Sequence, residues 1–177
     1  MSDLTPIITK AVESWAAKLL EHFKAQYGSL YFIPLWVNAN TPGKIAPNIA
    51  QNVEEQLLTI QDNQITINIV DDKIGLVFNA FVDNFYSSLS FIGQGLMKWF
   101  DLKMTWDEYL QGLNKRKANP DQTSYNTWKT NLNMILETIF DEIIIALNGA
   151  GKTVQLSNGA QFFGSSKEAV EALKIYQ

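Results

Sequence analysis

The sequence predicts an α+β fold, with long amphipathic helices packed on a small antiparallel sheet of hairpins. Three observations predict it. Apolar residues recur every three to four positions along several long segments, as in Trp128, Leu132, Ile135, Ile139, Ile143 and Leu147. Ile65, Ile67 and Ile69 alternate with Thr66 and Asn68, which is the strand period with one buried face. Helical and strand patterns come in separate blocks, without the strand–helix–strand alternation of a parallel α/β fold.

The elements follow in order. Thr5-Pro6 opens a helix, with Thr as cap and Pro at the first helical position. Ile8, Val12, Trp15, Leu19 and Phe23 form its apolar face, and Lys10, Glu13, Lys18, Glu21 and Lys24 lie mostly off it. Gly28 ends it. Leu30 to Val37 is an aromatic run interrupted by Pro34, so it reads as an edge segment or packed loop, not an interior strand. Asn38 to Gly43 has turn chemistry. Val53 to Ile60 and Gln64 to Val70 form a β-hairpin around Gln61-Asp62-Asn63, which Asp71-Asp72-Lys73 closes.

Phe78, Phe81, Val82, Phe85, Leu89 and Ile92 make a second helical stripe, broken near Gly93 and Gly95. Thr105-Trp106-Asp107-Glu108 is a capping box that opens a short helix to about Lys117. Asn114 to Asp121 reads as a polar loop. The longest helix runs from Thr123 to Asn148. A strand at Thr153 to Leu156, a turn at Ser157-Asn158-Gly159 and a capping box at Ser165-Ser166-Lys167-Glu168 complete a terminal hairpin and helix. No linker or repeat divides the chain. It reads as a single domain, 1–177, with a helix and hairpin in 1–72, a helical region in 74–149, and a hairpin and helix in 153–177.

Composition narrows the function. The chain is 46% hydrophobic and 18% charged, as expected for one domain with a real core. A net charge of −4 argues against general nucleic-acid binding, which needs a basic surface. The absence of cysteine excludes disulfides, thiolate metal sites and cysteine nucleophiles. Met1-Ser2-Asp3-Leu4-Thr5-Pro6 lacks the basic start and apolar run of a signal peptide. Asn84 to Met97, an uncharged stretch with strong apolar content, is too short and too polar to span a bilayer.

One stretch imitates chemistry. Ala146 and Asn148-Gly149-Ala150-Gly151-Lys152-Thr153 fit a relaxed phosphate-loop pattern. A working phosphate loop joins a strand to a helix, so that amides and the helix N-terminus face the phosphates. Here a helix precedes the glycines and a strand follows. Gly149 therefore reads as a left-handed helix cap, and Lys152 carries no nucleotide role. The residues after Thr153 also leave little room for a second Mg²⁺-binding carboxylate.

Other candidates read blandly. His22 is the one histidine and has no evident catalytic partner. Glu137 and Asp141 are spaced i, i+4, but the Glu-x-x-His pattern of helical di-metal sites is missing, so they read as a solvated acidic face. Lys115-Arg116-Lys117 complements the dipole at a helix end, with phosphate contact as the other reading. No catalytic, cofactor-binding or metal-binding residue emerges. Tyr31, Phe32 and Trp36, aromatic and outside any core period, are candidates for a partner interface, with Lys115, Arg116 and Lys117 beside them.

Residues 1–70 resemble the small head–tail joining and tail-completion proteins of tailed bacteriophages. The matching pieces are an amphipathic helix from Ile7 to Gln26, the segment Thr41-Pro42-Gly43-Lys44-Ile45-Ala46-Pro47-Asn48-Ile49, and the hairpin from Val53 to Val70. The family loop reads as a Pro-x-x-Thr-Gly-Arg-Leu-like run where this chain has Thr-Pro-Gly-Lys-Ile, and the usual Gly-Thr step after the hairpin has no counterpart. The resemblance implies a virion protein acting in many copies, as a homo-oligomer or ring, on other virion proteins. No cofactor, nucleic-acid partner or membrane partner is expected. The alternative is a soluble binding or regulatory adaptor of immunity type in the bacterial cytoplasm.

Overall fold

The computed structural model describes residues 4–27, 41–62, 64–99, 103–118 and 122–156. In chain order the elements are α1 (Thr5–Tyr27), α2 (Thr41–Leu57), β1 (Leu58–Gln61), β2 (Gln64–Ile67), α3 (Asp71–Ser87), α4 (Phe91–Trp99), α5 (Trp106–Lys117), α6 (Gln122–Gly149) and β3 (Thr153–Leu156). Among the described residues this is an α+β architecture of packed helices and one small three-stranded sheet.

α1 buries Ile8, Val12, Trp15 and Leu19 and exposes Lys10, Glu13, Lys18 and Glu21, as its period requires. Its first turn differs from the expected cap. The amide of Ile8 donates to the carbonyl of Leu4 at 2.9 Å, one residue before Thr5. The Thr5 hydroxyl donates to Glu54 Oε2 at 2.9 Å and ties α1 to α2.

α2 corrects the sequence reading twice. Thr41-Pro42-Gly43 opens a helix instead of closing a turn, and Val53 to Leu57 ends that helix instead of starting a strand. Ile45, Ile49, Val53 and Leu57 repeat every four residues and are buried, together with Ala46 and Ala50. Pro47 lies inside the helix. It takes a bond from the Gly43 carbonyl, but both residues are on the exposed face, where water solvates that carbonyl.

β1 and β2 pair antiparallel, with Gln61 opposite Gln64 and Leu58 opposite Ile67. The tight turn between them needs positive φ, and Asp62 supplies it at 55°. β3 then joins β2 in parallel, Ile65 opposite Val154. The sheet is therefore mixed, not purely antiparallel, in the order β1-β2-β3. The expected partner of β3 in a terminal hairpin, the turn at Ser157-Asn158-Gly159 and the helix after Ser165 lie outside the described residues, as does the segment from Leu30 to Asn40.

Asp71 and Asp72 do not close the hairpin. They form the first turn of α3, where carboxylates favour the helix N-terminus. The break after α3 falls at Ser88-Leu89-Ser90, and Gly93 and Gly95 sit inside α4. The Ser88 amide donates to the Asn84 and Phe85 carbonyls and ends the ladder there. The capping box at Thr105 is complete: Glu108 N donates to Thr105 Oγ1 at 3.2 Å, and Thr105 N to Glu108 Oε1 at 3.3 Å. α5 continues through Lys117, so the polar loop expected from Asn114 is shorter.

α6 is the central helix. It buries Leu132, Ile135, Leu136, Ile139, Phe140, Ile143, Ile144 and Leu147. α1 and α5 pack on it, β3 packs on its end, and α2 and α3 continue the core behind α1. A Lys18–Glu142 ion pair links α1 to α6 at the surface, where such pairs contribute little. Among the described residues, an apolar cavity of about 10 Å³ lies between Trp15, Phe78, Phe140 and their neighbours, too small to bind a ligand.

Candidate functional site

The glycine loop is built by the end of α6. Ala150 N donates to the Ala146 and Leu147 carbonyls at 3.2 and 3.1 Å, Gly151 N to Asn148 O at 3.0 Å, and Lys152 N to Leu147 O at 3.0 Å. The last two bonds are the pair that defines a Schellman motif. The left-handed residue is Gly151, at φ 81°, while Gly149 is the last helical residue. The cap sits two residues later than the sequence suggests. The amides of Ala150, Gly151 and Lys152 are donated to helix carbonyls and are not turned towards a phosphate. The loop also faces the negative end of the helix dipole, and a strand follows it.

Two results are expected from this geometry. Gly151→Ala should lower stability by about 1–2 kcal/mol, because alanine resists the left-handed conformation. Lys152→Ala should leave function and nucleotide affinity unchanged. Micromolar binding of Mg²⁺–ATP to the natural chain, abolished by Lys152→Ala, would contradict the cap in an equilibrium titration.

The basic cluster at Lys115-Arg116-Lys117 divides. Arg116 is taken up inside the chain: its guanidinium lies 3.5 Å over the Trp128 ring, Nε donates to Ser124 Oγ at 3.1 Å and Nη1 to Gly112 O at 3.1 Å. Trp128 also meets Tyr109 at 5.2 Å between ring centroids. The stack joins α5 to α6, a structural contribution of about 1–2 kcal/mol when partly desolvated. Lys115 and Lys117 are exposed at the helix end. Tyr31, Phe32 and Trp36, the aromatic half of the expected interface, lie outside the described residues.

His22 is half-buried on α1, and Glu137 and Asp141 are half-buried on α6, less solvated than an acidic surface face would be. Among the described residues, no group of three or more His, Asp or Glu side chains is placed to hold a metal ion. No helix among them is long and apolar enough to cross a membrane.

What the sequence reading missed is the character of the sheet. By the strand period, Leu58, Ile60, Ile65, Ile67, Val154 and Leu156 share one face, and the four from β2 and β3 are buried. The other face carries only Thr59, Gln61, Gln64, Thr66, Thr153 and Gln155. Two cross-links run along it, Gln155 Nε2 to Thr66 Oγ1 at 3.1 Å and Asn68 Nδ2 to Thr59 Oγ1 at 3.0 Å. The alternation was visible in the sequence, but its three rows align only once β3 pairs with β2. Large apolar side chains also reach the surface singly, with Phe91 at the start of α4 90% exposed and Ile60 on β1 45% exposed.

Among the described residues, the arrangement offers an uncharged sheet face, an end strand and an exposed aromatic. Comparison of the chain with protein-family models, with curated proteins and with solved structures gave no match.

Proposed function

We propose that the chain is a non-enzymatic structural or assembly protein of a tailed-bacteriophage virion. It acts in the neck or tail, in head–tail joining or tail completion, through contacts with other virion proteins and with copies of itself. The observation that carries this reading is the order of an amphipathic helix, α1, and a tight hairpin, β1–β2, within residues 1–70. That order is shared with the joining and completion proteins, although α2 stands here where they carry a loop. The amides of the one nucleotide-like loop are consumed by helix capping, which removes the main support for a hydrolase.

A second reading, a soluble bacterial adaptor of regulatory or immunity type, is favoured by one observation. The described helices and the sheet share one continuous core within a single chain, as a freestanding domain requires. Size-exclusion chromatography with light scattering separates the two. A ring or other multi-copy species supports assembly in the virion, and a compact monomer at every concentration supports the adaptor.

Trp36→Ala refines the test. In the sequence, Trp36 is an aromatic anchor in an extended run that Pro34 bars from an interior strand. The variant should weaken assembly by about 2 kcal/mol while circular dichroism stays unchanged. Unfolding would make Trp36 a core residue, and normal assembly would take this segment out of the interface.

A further inference from the structure

We propose that α5 is a releasable strap. It undocks as one unit while α1, α2, α3 and the part of α6 from Leu132 onward stay packed, and its release uncovers aromatic rings on α3 and α6. The device belongs to the fold and would serve a virion component or an adaptor alike.

By its sequence α5 is a weak helix. It has 12 residues, and a helix that short is marginal in water without a partner. Its buried side chains are Trp106, Tyr109 and Leu113. Asp107, Glu108, Gln111, Asn114 and Lys115 are exposed. Side chains of these types are rarely buried, so the outer side of α5 offers no apolar face for a further segment to clamp.

The inner side is held by aromatic contacts to two helices. At the start of α5, Trp106 fits against Gly75 of α3, and the Trp106 backbone N–H donates to Asn79 Oδ1 at 2.7 Å. In the middle, the Tyr109 ring meets Phe78 of α3 at 5.1 Å and Trp128 of α6 at 5.2 Å between centroids. Near the end, the Trp128 ring touches both Gly112 and Arg116, with the guanidinium 3.5 Å from its centroid. A Cβ on Gly112 would come within 2.6 Å of Trp128, just as one on Gly75 would come within 2.5 Å of Trp106. Each tryptophan therefore fills a notch left by a missing side chain.

The rings are shared along the helix. Phe78 touches Trp106 and Tyr109, and Trp128 touches Tyr109, Gly112 and Arg116. Contacts that share partners are coupled, so losing one weakens the next and α5 lets go as a whole. The rest of the core is joined by contacts that bypass it. Trp15 ties α1 to Ile135 of α6, α2 packs on α1, and α3 packs on α2. An element with few buried apolar side chains opens at a lower free energy than such a core. Release then bares Phe78 and Trp128, together with the Trp106 and Tyr109 rings of α5 itself.

Native-state amide hydrogen exchange on the full chain, in urea below the unfolding transition, tests this. The amides of Leu110 to Arg116 should share one rate of opening, with little dependence on urea. They should exchange faster than those of Leu136 to Ile144 in α6, by about tenfold or more. Ile49→Val, on α2 in the core, should speed exchange in α6 about fivefold and leave α5 unchanged, because the core is intact in the open state. Arg116→Ala removes the stack on Trp128 and should speed exchange in α5 about tenfold. If Ile49→Val speeds α5 and α6 equally, α5 opens only with the whole chain and the strap does not exist. Rates that climb steadily toward the two ends of α5, and that Arg116→Ala does not change, would show fraying and overturn the proposal as well.

Discussion

Trp15→Ala is expected to lower the unfolding free energy by about 3–5 kcal/mol, the cost of deleting a large buried aromatic. Trp15 is 1% exposed and packs on Phe81 with ring centroids 4.6 Å apart. Its Nε1–H donates to the Ile135 carbonyl at 3.0 Å and ties α1 to α6 across the core. It also borders a small apolar cavity, so the vacated volume adds to an existing void and does not collapse easily. Trp15→Phe keeps much of the ring contact and loses the N–H, and should cost less, about 1–2 kcal/mol. Urea denaturation of the three proteins gives the order. A Trp15→Ala cost under about 1 kcal/mol would mean that α1 is not seated on α6 in solution.

Gly75→Ala is the second large effect, and here its sign is the point. In an open helix the change would stabilise by about 1 kcal/mol, because glycine is the poorer helix former. At position 75 a Cβ would lie 2.5 Å from Trp106 Cδ1 and 2.8 Å from Cγ. The indole has little room to retreat, since it packs on Phe78 at 5.3 Å and the Trp106 backbone N–H donates to Asn79 Oδ1 at 2.7 Å. Overpacking should therefore prevail, with a net loss of about 1–3 kcal/mol, and more for Gly75→Val. Gly95 in α4 is the control, because a Cβ there meets nothing within 4 Å and should show the helix-propensity gain. If both glycines gain stability on substitution, α3 and α5 do not approach as closely as described.

The helices built on long aliphatic periods were legible, and so were the Thr105 capping box and the hairpin turn. Each is a local pattern with a local cause. α2 was not, because Pro42-Gly43 and Pro47 are breakers by composition, and only the packing of Ile45, Ile49 and Val53 against α1 and α3 overrides them. Serines, not glycines, end α3, since Ser88 and Ser90 can bond backbone and Gly95 fits a helix that nothing crowds. Gly149 and Gly151 look alike in sequence, and only the hydrogen-bond register of α6 decides which one turns left-handed. The parallel pairing of β3 with β2 is a long-range event that no neighbouring residue announces. The candidate site was legible mainly as an exclusion of the phosphate loop. Arg116 looked like a surface charge because its partners, Trp128 and Ser124, lie on the next helix.

The parallel pairing also sets an order of events during synthesis. Thr66 and Gln155 bond across a separation of 89 residues. At typical rates of translation, the hairpin waits roughly 5–20 s for its third strand. Through that time β2 presents the apolar side chains Ile65 and Ile67 and an unfilled ladder of backbone groups to the cell, the combination from which aggregation starts. Closing so distant a pair also raises the contact order, so refolding should be slower than for a helical bundle of this size.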